Sequence, residues 1–151
     1  MANQLLLEEV IADRLKNNSA VSADLGSGAN CRVYPLVFPQ SVVYPAVFYE
    51  RSTSKYEHNM AGDSSFNTGT LAITVAAQTF LKCRNVAGNI RLALSGLRGT
   101  YTVGAKSLLV QRLLIGDDKD EFVALEGKEY GLWINESHYE YTIRLETPTL
   151  D

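Results

Sequence analysis

Tyr44-Pro45-Ala46-Val47-Phe48-Tyr49-Glu50-Arg51 reads as a strand whose borders are visible in its own letters. Proline locks its φ and has no N–H to donate, so Pro45 suits the start of a strand and not its middle. Ala46, Val47, Phe48 and Tyr49 place apolar side chains on both faces, the pattern of a central strand covered on two sides. Glu50-Arg51 closes the run with a charge pair. Upstream, residues 31–34 predict a shorter strand that Pro35 ends. Downstream, residues 52–69 are rich in Ser, Thr, Asn and Gly and have little periodicity. A compact domain seldom keeps so long a connection without a use. This segment is therefore expected to project from the body at about 52–69, as a mobile arm or an extended hairpin.

Working outward, Leu7, Val10, Ile11 and Leu15 recur at helical spacing and predict an amphipathic helix over 3–16, with Asn3 as its cap and Asn17-Asn18 as its stop. Val21 and Leu25 fold back as a short turn, and Gly26-Ser27-Gly28 breaks the pattern. Residues 70–78 alternate, with Leu71, Ile73, Val75 and Ala77 on one side and the small Ala72, Thr74 and Ala76 on the other. Thr79 is placed to cap a second helix reaching about residue 95. Its apolar stripe is Cys83, Val86, Ala87, Ile90, Ala93 and Leu94. Residues 96–104 read as a Gly-rich turn region and 108–115 as a fourth strand. Asp117-Asp118-Lys119-Asp120-Glu121 reads as the start of a charged connection over 116–136, with Gly127 and Gly131 at turns. The last strand, 139–146, alternates Tyr139, Tyr141, Ile143 and Leu145 against Glu140, Thr142, Arg144 and Glu146, so one of its faces or edges is wet, and Pro148 ends it.

The expected fold class is α+β. A mixed, mostly antiparallel sheet of four to five strands carries two α-helices packed on one face, plus a long inter-strand loop or hairpin, in one domain spanning 1–151. The order helix, Tyr34-Pro35, Tyr44-Pro45 strand, polar segment, strand, helix, closing strands resembles the tail completion (tail terminator) proteins of long-tailed bacteriophages. That resemblance implies a structural virion protein and not an enzyme. It implies a homo-oligomer, a hexameric ring that caps the tail tube, meets the tube protein on one side and a head-closure or connector protein on the other, and lets DNA pass without specific binding. It places the chain at the head–tail junction of the virion, made in the cytoplasm of a host bacterium. Another neck component, such as a head-closure or connector protein, is the nearest alternative, and a small soluble enzyme a more distant one.

The assembly interface is expected at Tyr56, His58 and Met60 in the polar segment, at Phe66 near its end, and at Tyr139 and Arg144 on the exposed last strand. Apolar residues isolated in a polar arm suit anchoring in a neighbour's groove.

Composition and motifs agree with a role in assembly. With 46% hydrophobic and 21% charged residues, the chain can build an ordinary globular core, and at 151 residues that core needs no metal or disulfide staple. A net charge of -3 argues against a protein whose main task is gripping DNA or an anionic membrane. The N-terminal Glu8, Glu9 and Asp13 are unlike a secretory signal.

No catalytic, cofactor or metal site is expected. His58 and His138 stand apart, there is no G-x-S-x-G elbow, and Cys83 lies on an apolar helix stripe. The acidic run lacks calcium-loop spacing, the Gly-rich segments lack phosphate-loop patterns, and the eight tyrosines fall mostly within strands and beside turns.

Overall fold

Leu7–Lys16 forms helix α1, and its four buried residues Leu7, Val10, Ile11 and Leu15 are the stripe that the spacing predicts. The computed structural model describes residues 5–26, 30–36, 42–60, 62–124 and 131–145. Leu6 occupies the cap position, and its N–H donates to the Glu9 carboxylate at 2.8 Å, which satisfies one orphan donor of the first turn. The expected cap, Asn3, lies outside the described residues, as do Ser27, Gly28, Gly127, Glu146 and Pro148.

The predicted turn after α1 is a second helix, α2 (Ser19–Leu25), capped by Asn18 Oδ1, which accepts from the N–H groups of Ala20 and Val21 at 3.1 Å each. Strands β1 (Val33–Pro35) and β2 (Ala46–Asn59) follow, and the two prolines stand at a strand end and just before a strand start. Next come β3 (Gly62–Ala77) and helix α3 (Phe80–Leu94), where Thr79 Oγ1 accepts from Lys82 N–H at 3.2 Å. The stripe Cys83, Val86, Ala87, Ile90, Ala93 and Leu94 is buried in full. Gly96 ends the helix with φ +89°, a conformation that glycine adopts without a Cβ penalty, and its N–H reaches Leu113 O at 2.7 Å. Strands β4 (Gly99–Val103), β5 (Lys106–Ala124) and β6 (Gly131–Arg144) complete the chain.

The sheet has six strands in the order β1-β2-β3-β6-β5-β4, with β1 parallel to β2 and every other pair antiparallel. The fold is thus α+β with a mixed, mostly antiparallel sheet, but with six strands and three helices among the described residues where four to five and two were expected. The extra strand is β4, which occupies part of the expected Gly-rich turn. The extra helix is α2, only seven residues long, too short to show a repeating stripe.

The larger correction is strand length. Residues 52–59 and 62–69 form a β-ladder and not an irregular loop: β2 and β3 pair from Ala46↔Ala76 out to Asn59↔Gly62, and so take the extended-hairpin alternative. The charged run at 117–121 is likewise strand, because β5 and β6 stay paired out to Ala124↔Gly131. Backbone hydrogen bonds hold these polar stretches, and such bonds leave no trace in hydropathy.

One core forms between the helices and one face of the sheet. Val47, Leu71, Ile73, Val75, Tyr139, Tyr141 and Ile143 pack there with the α1 and α3 stripes. Tyr101 Oη donates to Asp13 at 2.9 Å and Arg14 Nε to Ala93 O at 3.1 Å, which ties β4 and α3 to α1. On the opposite face Ala72, Thr74 and Ala76 are buried; their cross-strand partners are Glu50 and His138, Phe48 and Glu136, and Ala46 and Ile134 respectively.

Candidate functional site

Tyr56, His58 and Met60 lie together on the outer part of the β2–β3 hairpin, all three exposed, and Met60 stands fully free at the turn. The hairpin beneath them is internally braced. Asn67 is fully buried and donates to Ser54 Oγ at 2.8 Å and to Lys55 O at 3.3 Å across the strands. Tyr141 Oη donates to Thr53 O at 3.0 Å, and the Arg51 guanidinium lies 5.4 Å from the Tyr141 ring centroid. Arg51 also forms an ion pair with Glu8 of α1 at 2.9 Å. Phe66 sits one strand over, half-buried and in register with the exposed Arg144, so it belongs to the sheet and not to an arm outside it. Tyr139 requires a correction: it is fully buried between the sheet and the helices, so it packs the subunit and offers no surface to a neighbour. Burial raises its phenol well above the ordinary range.

The other end of the sheet carries a polar cluster that the sequence reading missed. Asn135, fully buried on β6, donates to Asp118 at 3.1 Å and to Asp120 at 2.9 Å on β5, and accepts from Ser137 Oγ at 2.8 Å. Arg84 on α3 reaches Asp118 at 2.7 Å and Asp120 at 3.4 Å. The cluster fastens the charged strand to the helix and uses the carboxylates' acceptor sites in doing so. Cys83, one residue from Arg84, has its thiol pushed up to about 11, chiefly by burial and then by the charge of Asp120. A thiol held protonated in this way is a poor nucleophile. The missed signal was period two: Asp118, Asp120 and Phe122 alternate with Asp117, Lys119 and Glu121, while Trp133, Asn135 and Ser137 continue the Tyr139-Tyr141-Ile143 phase.

Beside this cluster, three rings meet at the end of the helix layer. Trp133 lies 5.1 Å from Phe80 in an edge-on arrangement and 5.1 Å from Phe122, its cross-strand partner. Gly131 makes room for them: a Cβ there would stand 2.5 Å from the Phe122 ring.

The Arg84 hydrogen bond, with that of Asn135, holds the Asp118 carboxyl below its ordinary value of 3.8. The stability this adds is fully present above pH 3.8 and is lost as pH falls through the lower folded-state value. Arg84→Gln is therefore expected to be less stable than the parent at pH 7, and the difference should shrink as pH is lowered below 4 in urea titrations run at a series of pH values. A gap that stays constant to pH 2.5 would contradict this account. Both carboxylates are partly exposed, so the whole effect is modest.

On the sheet face away from the helices, His138 is flanked by Asp117 at 3.0 Å and Glu136 at 3.1 Å, and Arg112 pairs with Glu140 at 2.9 Å. The carboxylates lie on opposite ring nitrogens, which is not a ligand cage. Among the described residues no cluster of three or more His, Cys, Asp or Glu is arranged to hold a metal ion. An open groove lined by Gly96, Leu97, Arg98, Gln111, Arg112, Leu113 and Leu114 contains two arginines and no acid, histidine or cysteine. That set has no base or nucleophile. Among the described residues no helix is long and apolar enough to cross a membrane.

No protein-family model and no curated protein sequence matches the chain. Among solved structures, the fold is similar to that of a chain in the virion of a native gene transfer agent particle. The TM-score is 0.65 at 14% identity, over 89% of this chain and 91% of that one. At such identity the likeness is one of fold.

Proposed function

We propose that this chain is a structural virion protein of a phage-like particle, and within that class a tail-completion protein that forms a ring on the end of the tail tube and joins it to the head. The observation that carries the reading is the fold shared over nearly the whole length of a chain found in a gene transfer agent virion. It agrees with the Tyr-Pro strand borders and element order that resemble tail completion proteins. Two features of the subunit suit the role. The β2–β3 and β5–β6 hairpins lie at opposite ends of the sheet and carry exposed residues toward neighbours. A net charge of -3 suits a conduit that DNA traverses, since favourable phosphate contacts multiplied around a ring would impede passage.

The partners in this reading are further copies of the chain, the tail tube protein and a head-closure or connector protein. The subunit uses no cofactor. The test is to mix the purified protein with tail tubes that lack their terminator, and to follow mass in solution together with negative-stain images. Closed rings seated on tube ends, and rescue of tailed infectious particles in a phage lacking the protein, are the expected results. Rings that bind the head connector and ignore tube ends would move the protein to the head-closure side of the neck. A chain that stays monomeric in the presence of both would end the reading.

A further inference from the structure

The outer margin of β5 carries opposite charge on its two halves. On the sheet face away from the helices, the first half lies beside the open groove, whose two arginines, Arg98 and Arg112, are exposed. Arg144 of β6 adds a third positive charge to this half, and Glu140, which pairs with Arg112 at 2.9 Å, offsets one of the three. On the second half, Asp117 and Glu121 share the same face with Glu136 of β6, and Lys119 offsets one of these three. Asp118 and Asp120 lie on the helix side, where Arg84 and Asn135 engage them. On this face, three charges against one on each half leave the margin positive by two at one end and negative by two at the other.

The two halves cannot meet within one chain. Nine residues of one strand separate Arg112 from Glu121, roughly 25–30 Å at 3.3 Å per residue. Arg98 and Glu121 are both exposed and have no ion-pair partner among the described residues. The margin is also open. β4 pairs with β5 only as far as Gly99↔Val110, and the turn after α3 reaches β5 through Gly96 N–H to Leu113 O and Ile115 N–H to Ser95 Oγ. Beyond Ile115 no described strand lies outside β5.

A row of charge that reverses sign about its midpoint is complementary to itself under a two-fold axis. The midpoint here falls at Gly116-Asp117: Arg112 lies four residues before Gly116, and Glu121 four residues after Asp117. A second copy laid antiparallel along the margin therefore brings each positive half against a negative one.

We propose that two copies of the chain associate through the β5 margin, antiparallel about an axis at Gly116-Asp117, so that Glu121 of each copy meets Arg98 and Arg112 of the other. The contact is made by side chains. The Ser95–Arg98 turn occupies the flank of β5 beside the groove, and the charged residues beyond it disfavour a continuous ladder. Leu114, 41% exposed, and Leu97 give the groove an apolar floor that the second copy covers. An isologous contact joins two copies and stops, so it is separate from the heterologous contact of a ring and does not depend on the ring reading.

The test is the mass of the parent chain by sedimentation over a concentration series. It is expected to approach two copies at low ionic strength and to fall towards one as salt screens the contact. Arg98→Glu and Glu121→Arg, each alone, set like charges against each other at both ends of the contact and should weaken association about tenfold or more. Each removes an exposed side chain without an ion-pair partner, so each keeps the parent's circular dichroism and urea midpoint. Mixed in equal amounts, the two variants should recover the two-copy species, with one chain of each kind. Lys55→Glu, which makes the same change of net charge as Arg98→Glu on the distant β2–β3 hairpin, should associate as the parent does. A parent that stays a single copy at low salt overturns the inference and leaves the groove to a partner other than this chain. A two-copy species that survives both reversals, a mixture that fails to recover it, or equal weakening by Lys55→Glu also overturns it. So do salt-sensitive assemblies that grow past two copies.

Discussion

Val47→Asp is expected to abolish folding. Val47 is fully buried on β2, in register with Val33 on one side and Val75 on the other, within the core closed by the helices. Its N–H is already used, donating to Arg32 O at 3.0 Å. A carboxylate there would lose the valine's burial and face apolar groups on its own side of the sheet. An unpaired buried charge costs several kcal/mol, and the alternative, a carboxylic acid buried neutral, still leaves polar atoms without partners. A domain has only about 5–15 kcal/mol in total to lose. The variant should accumulate as insoluble protein, and any soluble fraction should lack a cooperative urea transition. Val47→Thr, which keeps the shape and adds one hydroxyl, should fold with a loss of about 1–3 kcal/mol. A soluble Val47→Asp protein with the parent's circular dichroism and midpoint would mean that β2 is not where the core places it.

Gly69→Ala and Gly88→Ala add the same methyl group and are expected to have opposite signs. Gly69 lies in β3 opposite Ser54, just past the irregularity between Arg51 and Thr53, and next to Tyr141 on β6. A Cβ there would overlap the Thr53 carbonyl oxygen and stand 2.8 Å from Tyr141 Oη, so it drives apart the groups that hydrogen-bond across the missing side chain. Overpacking against backbone, together with the lost Tyr141–Thr53 bond, should cost about 2–4 kcal/mol. Gly88 is in the middle of α3, and a Cβ there meets nothing within 4 Å. Removing a helix-interior glycine should therefore stabilise by about 0.5–1 kcal/mol. Denaturant midpoints at matched m-values give both numbers. Gly69→Ala at parent stability would contradict the close approach of β2, β3 and β6 at this point.

The candidate surfaces were legible in unequal measure. Tyr56, His58 and Met60 stood out as apolar or titratable residues in a polar stretch, and they do share the exposed end of one hairpin. Tyr139 was misjudged: it lies on a strand whose position in the sheet decides whether its side chain meets solvent or core, and period two alone does not say which face is covered. The aromatic cluster and the Arg84–Asp118–Asp120–Asn135 network were invisible because their members come from α3, β5 and β6, segments brought together only by sheet order. In a linear reading, Asp118 and Asp120 belong to an acidic run. In the sheet they share a face with Asn135, while Asp117 and Lys119 lie on the other.

By itself the sequence determined the elements whose signal is local. The α1 and α3 stripes, the alternation of Leu71, Ile73, Val75 and Ala77, the Thr79 cap and the proline-bordered strands each depend on a few neighbouring residues, and each is found where the spacing predicts. Tertiary structure alone decided the strand order β1-β2-β3-β6-β5-β4, the extension of β2, β3, β5 and β6 through polar and charged residues, and the two ends at which the hairpins stand. The physical reason is that a helix bonds to itself, whereas a strand bonds to a partner. The 14, 16, 19 and 14 residues of those strands are held by backbone N–H and C=O groups of segments distant in the chain, and those groups are the same in every residue but proline.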